Sequence, residues 1–284
     1  MTKPPVVWTI AGFDPSSGAG ITADLKTISS HQCYGVAAIT ALTVQNTLGV
    51  LRIQPISPQI IRQTVQALLD DLPPNAIKIG LLATASIAQT VADFLTTLPQ
   101  PRCPIVLDPI LRSSSGAALL SPAGIRVLIE RFLPLATVVT PNRAEAAILT
   151  GLPPADAEAM ARALRQLGAA AAVVTGGDPA EPDAAAAQFS PGASSPNALS
   201  TDVMAYSLGG TEFVESLSAP RIQSSSTHGT GCAFSTSIAC SLARGTNLPT
   251  AVTSAKVFVG RAILGAPGLG HGNGPLALDG PAVR

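Results

Sequence analysis

Residues 6–32, VVWTI AGFDPSSGAG ITADLKTISSHQ, decide the fold. The β-branched run at 6–10 reads as a buried strand, the glycine-rich decapeptide at 11–20 as a tight turn, and the segment after it as a helix. In that helix Ile21, Leu25 and Ile28 fall on one face at i, i+4 and i+7. Strand, turn and helix in this order make the first half of a βαβ unit, and the same alternation recurs outward from it. Further strands are predicted at 36–46, 50–56, 76–82, 104–109, 137–142 and 171–177. Ser57-Pro58 and Ser121-Pro122 each place a hydroxyl cap before a first-turn proline, and Thr84 caps a helix reaching Leu98. Asn142 with Glu145 three residues later has the form of a capping box, and 156–167 reads as a helix with Met160, Leu164 and Leu167 inward. DVMAYSL and TEFVESLSAP, joined at Gly209-Gly210, read as a β-hairpin, and helices at 231–244 and 250–264 close the chain. These elements predict an α/β fold, a central, mostly parallel sheet flanked by helices with a small β-hairpin late in the chain. Residues 1–284 are read as one domain, and 178–200, rich in Ala, Pro, Ser and Asp, as a flexible surface insertion.

Composition narrows the function classes. Hydrophobic residues make up 46% and charged residues 12%, so a large core is expected, and the 17 basic and 17 acidic residues cancel. A nucleic-acid or anionic-membrane partner would call for a basic excess, so neither is expected. Cys33, Cys103, Cys232 and Cys240 form no CxxC pair, which argues against structural zinc and fits a reducing cytosol. MTKPPVVWTIAGFD resembles neither a signal peptide nor a membrane anchor. Lysine is scarce: Lys3, Lys26, Lys78 and Lys256 are all there are, and the three internal ones stand out.

In open parallel sheets ligands bind beyond the carboxyl ends of the strands. That puts AGFDPSSGAG, VQN, LDP, TPN, TGG and HGTGC on one rim. In HGTGCAF (228–234), Gly229 and Gly231 permit close backbone approach, and the N–H groups of 229–232 can converge on an anion at a helix start. A thiol there, Cys232, is expected to have a lowered pKa; equally, the glycines could end a loop and Cys232 fill core. Spacing leaves both open. AGFDPSSGAG is neither GxGxxG nor a Walker loop, and Asp24 and Lys26 read as a salt-bridged helix surface. Asp108 leaves a buried strand, a costly place for an unpaired carboxylate, and reads as a Mg²⁺ or phosphate-water anchor or as a turn-forming Asp before proline. Asn142 and Glu145 serve a cap, a metal-water shell, or both.

Taken together and in order, HGTGC, AGxDPSxGAGIxADLKT, ITALTVQNTxGV, VVTPNxxEAxxLTG and GHGxGPL make the chain resemble the hydroxymethylpyrimidine/phosphomethylpyrimidine kinases of thiamin biosynthesis, within the ribokinase-like superfamily. The resemblance runs from Trp8 to Leu276, the 178–200 segment apart. It implies a three-layer ribokinase-like fold, a cytoplasmic homodimer, and two successive phosphoryl transfers from ATP with Mg²⁺ to an aminopyrimidine alcohol and its phosphate. By resemblance Gln45, Gly12, Val44 and Asp24 bind the pyrimidine, with Asp24 beside the hydroxymethyl group. Gly229, Thr230, Gly231 and Cys232 form the anion hole, with Cys232 assisting deprotonation of the substrate hydroxyl. Lys256, Asn142 and Thr175 lie toward the nucleotide, and Asp108 and Glu145 toward Mg²⁺. Thr175 stands where the family often has the lysine of KGG, and Ser17 where it has glycine; Arg112 and Ser113 stand where small or basic residues are usual, in a loop expected to act as a lid. The alternatives are a pyridoxal or pyridoxine kinase, or a pyrimidine-binding module without turnover.

Overall fold

The first strand runs past the apolar run that announces it. In the computed structural model, which describes residues 3–113, 116–177 and 198–280, β1 (Val6–Phe13) enters the glycine turn and α1 (Gly20–Ser30) leaves it. β2 (Tyr34–Asn46), β3 (Gly49–Pro55), α2 (Pro58–Asp71), β4 (Ala76–Ile79), α3 (Ala85–Thr96) and β5 (Ile105–Leu107) follow. Then come α4 (Pro122–Val127), β6 (Val138–Val139), α5 (Arg143–Thr150), α6 (Ala157–Gln166) and β7 (Ala171–Val174). The hairpin β8 (Leu199–Leu208) and β9 (Thr211–Pro220) precedes α7 (Thr230–Ala243) and α8 (Leu248–Leu264). α4 does not end cleanly: it continues into a π turn, Leu128–Phe132, and a 3₁₀ turn, Leu133–Leu135.

Helices start where their caps predict. Ser57, Thr84, Ser121 and Asn142 each accept a backbone N–H three residues on, and Asn142 and Glu145 close a full capping box. Each such cap contributes on the order of 1 kcal/mol.

The strands of the described residues join one sheet in the order β3-β2-β1-β4-β5-β6-β7-β8-β9. Its centre, β2 through β7, is parallel, and β3, β8 and β9 are antiparallel. The short apolar central strands are buried on both faces, as parallel strands under helices must be. β3 turns back on β2 because only Thr47 and Leu48 separate them, far too few for a parallel crossover. The insertion expected at 178–200 lies outside the described residues up to 197; Leu199 and Ser200 already belong to β8. Among the described residues no helix is long and apolar enough to cross a membrane.

Period-two alternation splits the core between the two faces. Trp8, Ile10, Ile77, Ile79 and Leu107 pack on one side with α2 and α3 residues such as Val65 and Val91. Val7, Ala76, Val106 and Val138 pack on the other with Ile238 and Ala251 of α7 and α8. Along that second face the next residue of β1 and of β4, and the one just past β5, is polar: Thr9, Lys78 and Asp108, with Thr9 and Lys78 in register. The switch from apolar to polar beneath α7 marks the candidate site.

Candidate active site

Two glycine-rich loops meet at the sheet rim, and their contacts leave no room for side chains. A Cβ at Gly229 (φ +83°) would lie 1.9 Å from the Gly18 carbonyl oxygen, and one at Gly18 would lie 2.3 Å from the His228 ring. Asp14 fastens them: its Oδ1 accepts from the Ser16 N–H (2.8 Å) and hydroxyl (2.7 Å). Its Oδ2 accepts from Ala19 N (2.9 Å) and His228 Nε2 (2.8 Å). Burial pushes the Asp14 carboxyl up, but the bonds from His228, Ser16 and the Gln45 amide outweigh it and hold the group well below the usual carboxylate range. The same frame takes in the GHGNGP turn, because His228 N donates to Gly274 O (3.1 Å) and Asn273 N to Thr47 O (2.9 Å). Gln45 lies at the far end of β2, half-buried, with Val44 exposed beside it and Gly12 buried behind. Ser17, in place of a glycine, holds φ at +61° and takes up the strain that residue would avoid.

α7 begins at Thr230 with Gly229 as its left-handed cap; Thr230 N donates to Thr227 O (3.4 Å), and the N–H groups of Gly231 and Cys232 lie in the first turn, where no helical carbonyl precedes them. A Cβ on Gly231 would meet nothing nearer than the Asp108 carboxylate oxygens, at 4.0 Å; the site is open there. Cys232 is 6% exposed. Its thiol is not lowered, as its place at a helix start led one to expect: burial pushes it up to about 12, and nearby Asp108 and Asp24 add to this against the opposing Lys78 ammonium. The thiol is protonated at neutral pH. Cys240 is fully buried core.

Beneath Cys232 lies a cluster of buried charges. Lys78 Nζ sits 3.1 and 3.0 Å from the two oxygens of Asp24 and 3.8 Å from Oδ2 of Asp108. Asp24 also accepts from Thr9 Oγ1 (2.5 Å) and Thr236 Oγ1 (2.8 Å), and Asp108 from Ser235 Oγ (3.2 Å). Asp24 therefore offers no exposed surface to a hydroxymethyl group; its oxygens are committed within the fold. Nor does it pair with Lys26 on the helix surface, since Lys26 reaches Asp279 at 3.7 Å. Burial raises the Asp108 carboxyl, opposed by Lys78.

The remaining residues gather at the ends of β6 and β7. Asn142 and Thr175 pair as an isolated bridge, and Gly176 N donates to Asp202 Oδ1 (2.9 Å). Lys256 Nζ lies 2.7 Å from Oδ2 of the same aspartate, so its ammonium is tied to β8 rather than free. Glu145 Oε2 accepts from Asn142 N (3.1 Å) and Oε1 from Leu111 N (3.2 Å), which ties α5 to the loop behind Asp108. Among the described residues no group of three or more His, Cys, Asp or Glu is placed to hold a metal ion. Of the loop expected to act as a lid, Ser113 and Ala117 close a turn through Ser113 N and Ala117 O (2.9 Å), and 114–115 lie outside the described residues.

Sequence reasoning missed Asp14, His228, Thr236 and the role of Lys78. Asp14 is hidden in a turn-forming DPSSG, where an aspartate is ordinary. Lys78 was legible as a signal, a lone charge in the apolar AIKI strand, but its partners come from α1 and the end of β5.

Residues 14–277 match the family model described as phosphomethylpyrimidine kinase. The chain is 38% identical over 275 residues, 96% of each chain, to a hydroxymethylpyrimidine/phosphomethylpyrimidine kinase of Synechococcus elongatus. It is also 38% identical to the thiamine biosynthesis bifunctional protein ThiED of Geobacter sulfurreducens, covering 95% of this chain and 51% of that one. Among solved structures, Bacillus subtilis pyridoxal kinase in an ADP complex superposes with a TM-score of 0.80 at 30% identity, over 96% of this chain and 97% of that one. A phosphomethylpyrimidine kinase from Clostridium difficile 630 gives 0.71 at 31%, over 91% and 99%.

Proposed function

The chain belongs to the phosphomethylpyrimidine kinase family, and on that premise we propose that it phosphorylates 4-amino-5-hydroxymethyl-2-methylpyrimidine and then its monophosphate, with ATP as donor, in thiamin biosynthesis. The strongest support is the Asp14–His228 hydrogen bond of 2.8 Å. It couples the loop facing Gln45 to the residue that opens the glycine turn, so a ring read at one end has its hydroxymethyl group delivered to the other.

Gln45 offers a donor and an acceptor, the pair that a ring nitrogen and an exocyclic amine require. Gly12 lets β1 pack closely on Leu81 beside Gln45's strand, since a Cβ there would come within 2.8 Å of the leucine side chain. The N–H groups of Gly231 and Cys232, at the positive end of α7, stabilise charge on the transferred phosphoryl group, while Gly229 and Thr230, whose own N–H donates to Thr227 O (3.4 Å), shape the turn that presents them. Cys232 stands at the reacting hydroxyl. A thiol raised to about 12 is not a resident base. It acts as a relay, taking the hydroxyl proton on sulfur as its own S–H proton passes to the nearby Asp108 carboxylate, whose charge helps hold the thiol up. Phosphoryl transfer through a loose transition state asks little of the nucleophile beforehand, so a late relay suffices.

Asn142, Thr175 and Lys256 lie toward the nucleotide, with Lys256 acting through Asp202. Mg²⁺ takes oxygen donors and keeps waters and phosphate oxygens in its shell; Asp108, which keeps 7% side-chain exposure at the rim, would hold it through water, and Glu145, both of whose oxygens accept from backbone N–H groups, would act by fixing the loop behind Asp108. The ion would neutralise phosphate charge there. Leu42, Val44, Leu48 and Leu51 stand exposed on the β2–β3 hairpin, which supports the homodimer. The reducing location implied by four free thiols supports a cytoplasmic enzyme.

A second reading, pyridoxal phosphorylation, is favoured by the superposition on pyridoxal kinase. Assaying both substrates with ATP decides between them: pyrimidine mono- and diphosphate are expected, and pyridoxal phosphate alone would overturn the proposal. Cys232→Ala is expected to lower kcat on the order of 10²-fold, the scale of a lost proton-transfer group, with KM nearly unchanged. Gln45→Ala should instead raise KM for the pyrimidine and spare that for ATP.

A further inference from the structure

Among the described residues Lys78 is a fully buried cation, and the mechanism above gives it no part. It projects from β4, the strand between β1 and β5, onto the face that α7 covers. Burying an ammonium costs several kcal/mol unless it is paired, and the same-face neighbour one step along β4, Ala76, packs under α7 and α8 as an ordinary apolar residue. Lys78 is paired twice. Its three N–H donors meet both oxygens of Asp24, at 3.1 and 3.0 Å, and approach Oδ2 of Asp108 at 3.8 Å.

The two carboxylates differ in what they can do. Asp24 is enclosed by Thr9, Thr236 and Lys78 and has no exposed surface. Asp108 retains 7% side-chain exposure, and its oxygens lie 4.0 Å from where a Cβ on Gly231 would stand, beside the open space that the kinase reading gives to the transferred group. Seen from that space, Asp24 anchors the lysine and the lysine faces Asp108.

We infer that Lys78 is a positioning residue for phosphoryl transfer: anchored by Asp24, it holds the Asp108 carboxylate in place beneath the anion hole and offsets its negative charge as the phosphates approach. The inference rests on the kinase reading. Lys78 has no exposed surface to offer substrate or nucleotide, so its effect belongs in kcat and not in either KM.

The experiment compares Lys78→Met with the double variant Asp24→Asn/Lys78→Met in the full chain, reading kcat, both KM values and thermal stability. Lys78→Met leaves Asp24 buried and unpaired, so it loses stability; the double variant removes that unpaired charge and regains it. Expected is a fall in kcat of about a hundredfold in both, the scale seen when one preorganised electrostatic group is removed, with KM values within about threefold of wild type. If the double variant recovers both stability and kcat, Lys78 is only the partner of Asp24 and the inference fails. It fails likewise if kcat never falls, if KM absorbs the loss, or if neither variant folds, which would assign the cation to the fold. Wild-type protein assayed alongside separates this from the kinase reading: no ATP-dependent pyrimidine phosphate from wild type would sink that reading first.

Discussion

Asp14 carries more of the site than its place in a turn suggests. Its carboxylate is buried and accepts from Ser16, Ala19 and His228, so protonating it removes hydrogen bonds from both glycine loops together. The sign of the pH effect follows from its folded-state pKa lying below the unfolded value. Stability from Asp14 is fully present above about pH 4, the ordinary carboxylate value, and is lost as pH falls toward the folded value. Denaturant titrations from pH 6 downward should therefore show Asp14→Asn less stable than wild type at pH 6 and the gap closing with acid. A constant gap across that range would mean that the carboxylate charge is not what holds the loops.

At the scale of elements, the start of α7 separates packing from chemistry within three residues. Gly229 is confined by its left-handed φ and by the Gly18 carbonyl, whereas Gly231 has open space around its α-carbon. Gly229→Ala is expected to lower thermal stability markedly, because backbone must move to admit the methyl group. Gly231→Ala should leave the melting temperature within a few degrees and still cut kcat by about tenfold or more, since its methyl group occupies the space over Asp108. Equal stability loss in both would reduce the turn to a packing device. The caps show the opposite economy: Asn142 and Glu145 satisfy a helix start and tie the loop behind Asp108 with the same atoms.

For the whole molecule, the mostly parallel sheet puts the first glycine loop, Asp108, Asn142 and Thr175 at one rim, while the β2–β3 hairpin stands out with Leu51 78% and Leu48 67% exposed. Leu51→Asp is expected to convert a dimer to a monomer in sedimentation velocity while leaving the monomer folded. A wild-type protein that sediments as a monomer would remove the need for a partner on that edge.

The alternation of strand and helix, the capped helix starts, the late hairpin and the ordered motifs were all set by the chain's local chemistry. Periodicity, caps and turn glycines act over a few residues, and for that reason they can be read without a structure. The pairing of β3 against β2 was equally implicit, in a two-residue connection that allows nothing else. What tertiary structure alone decided is the electrostatics. Cys232 stands at a helix start, where local rules lower a thiol, yet burial over Asp24 and Asp108 raises it to about 12. Asp24 looked like a surface partner for Lys26 and is a buried anchor for Lys78, 54 residues away. Desolvation and Coulomb interaction depend on distance in space and not on separation along the chain, so those assignments waited until three strands and two helices had come together.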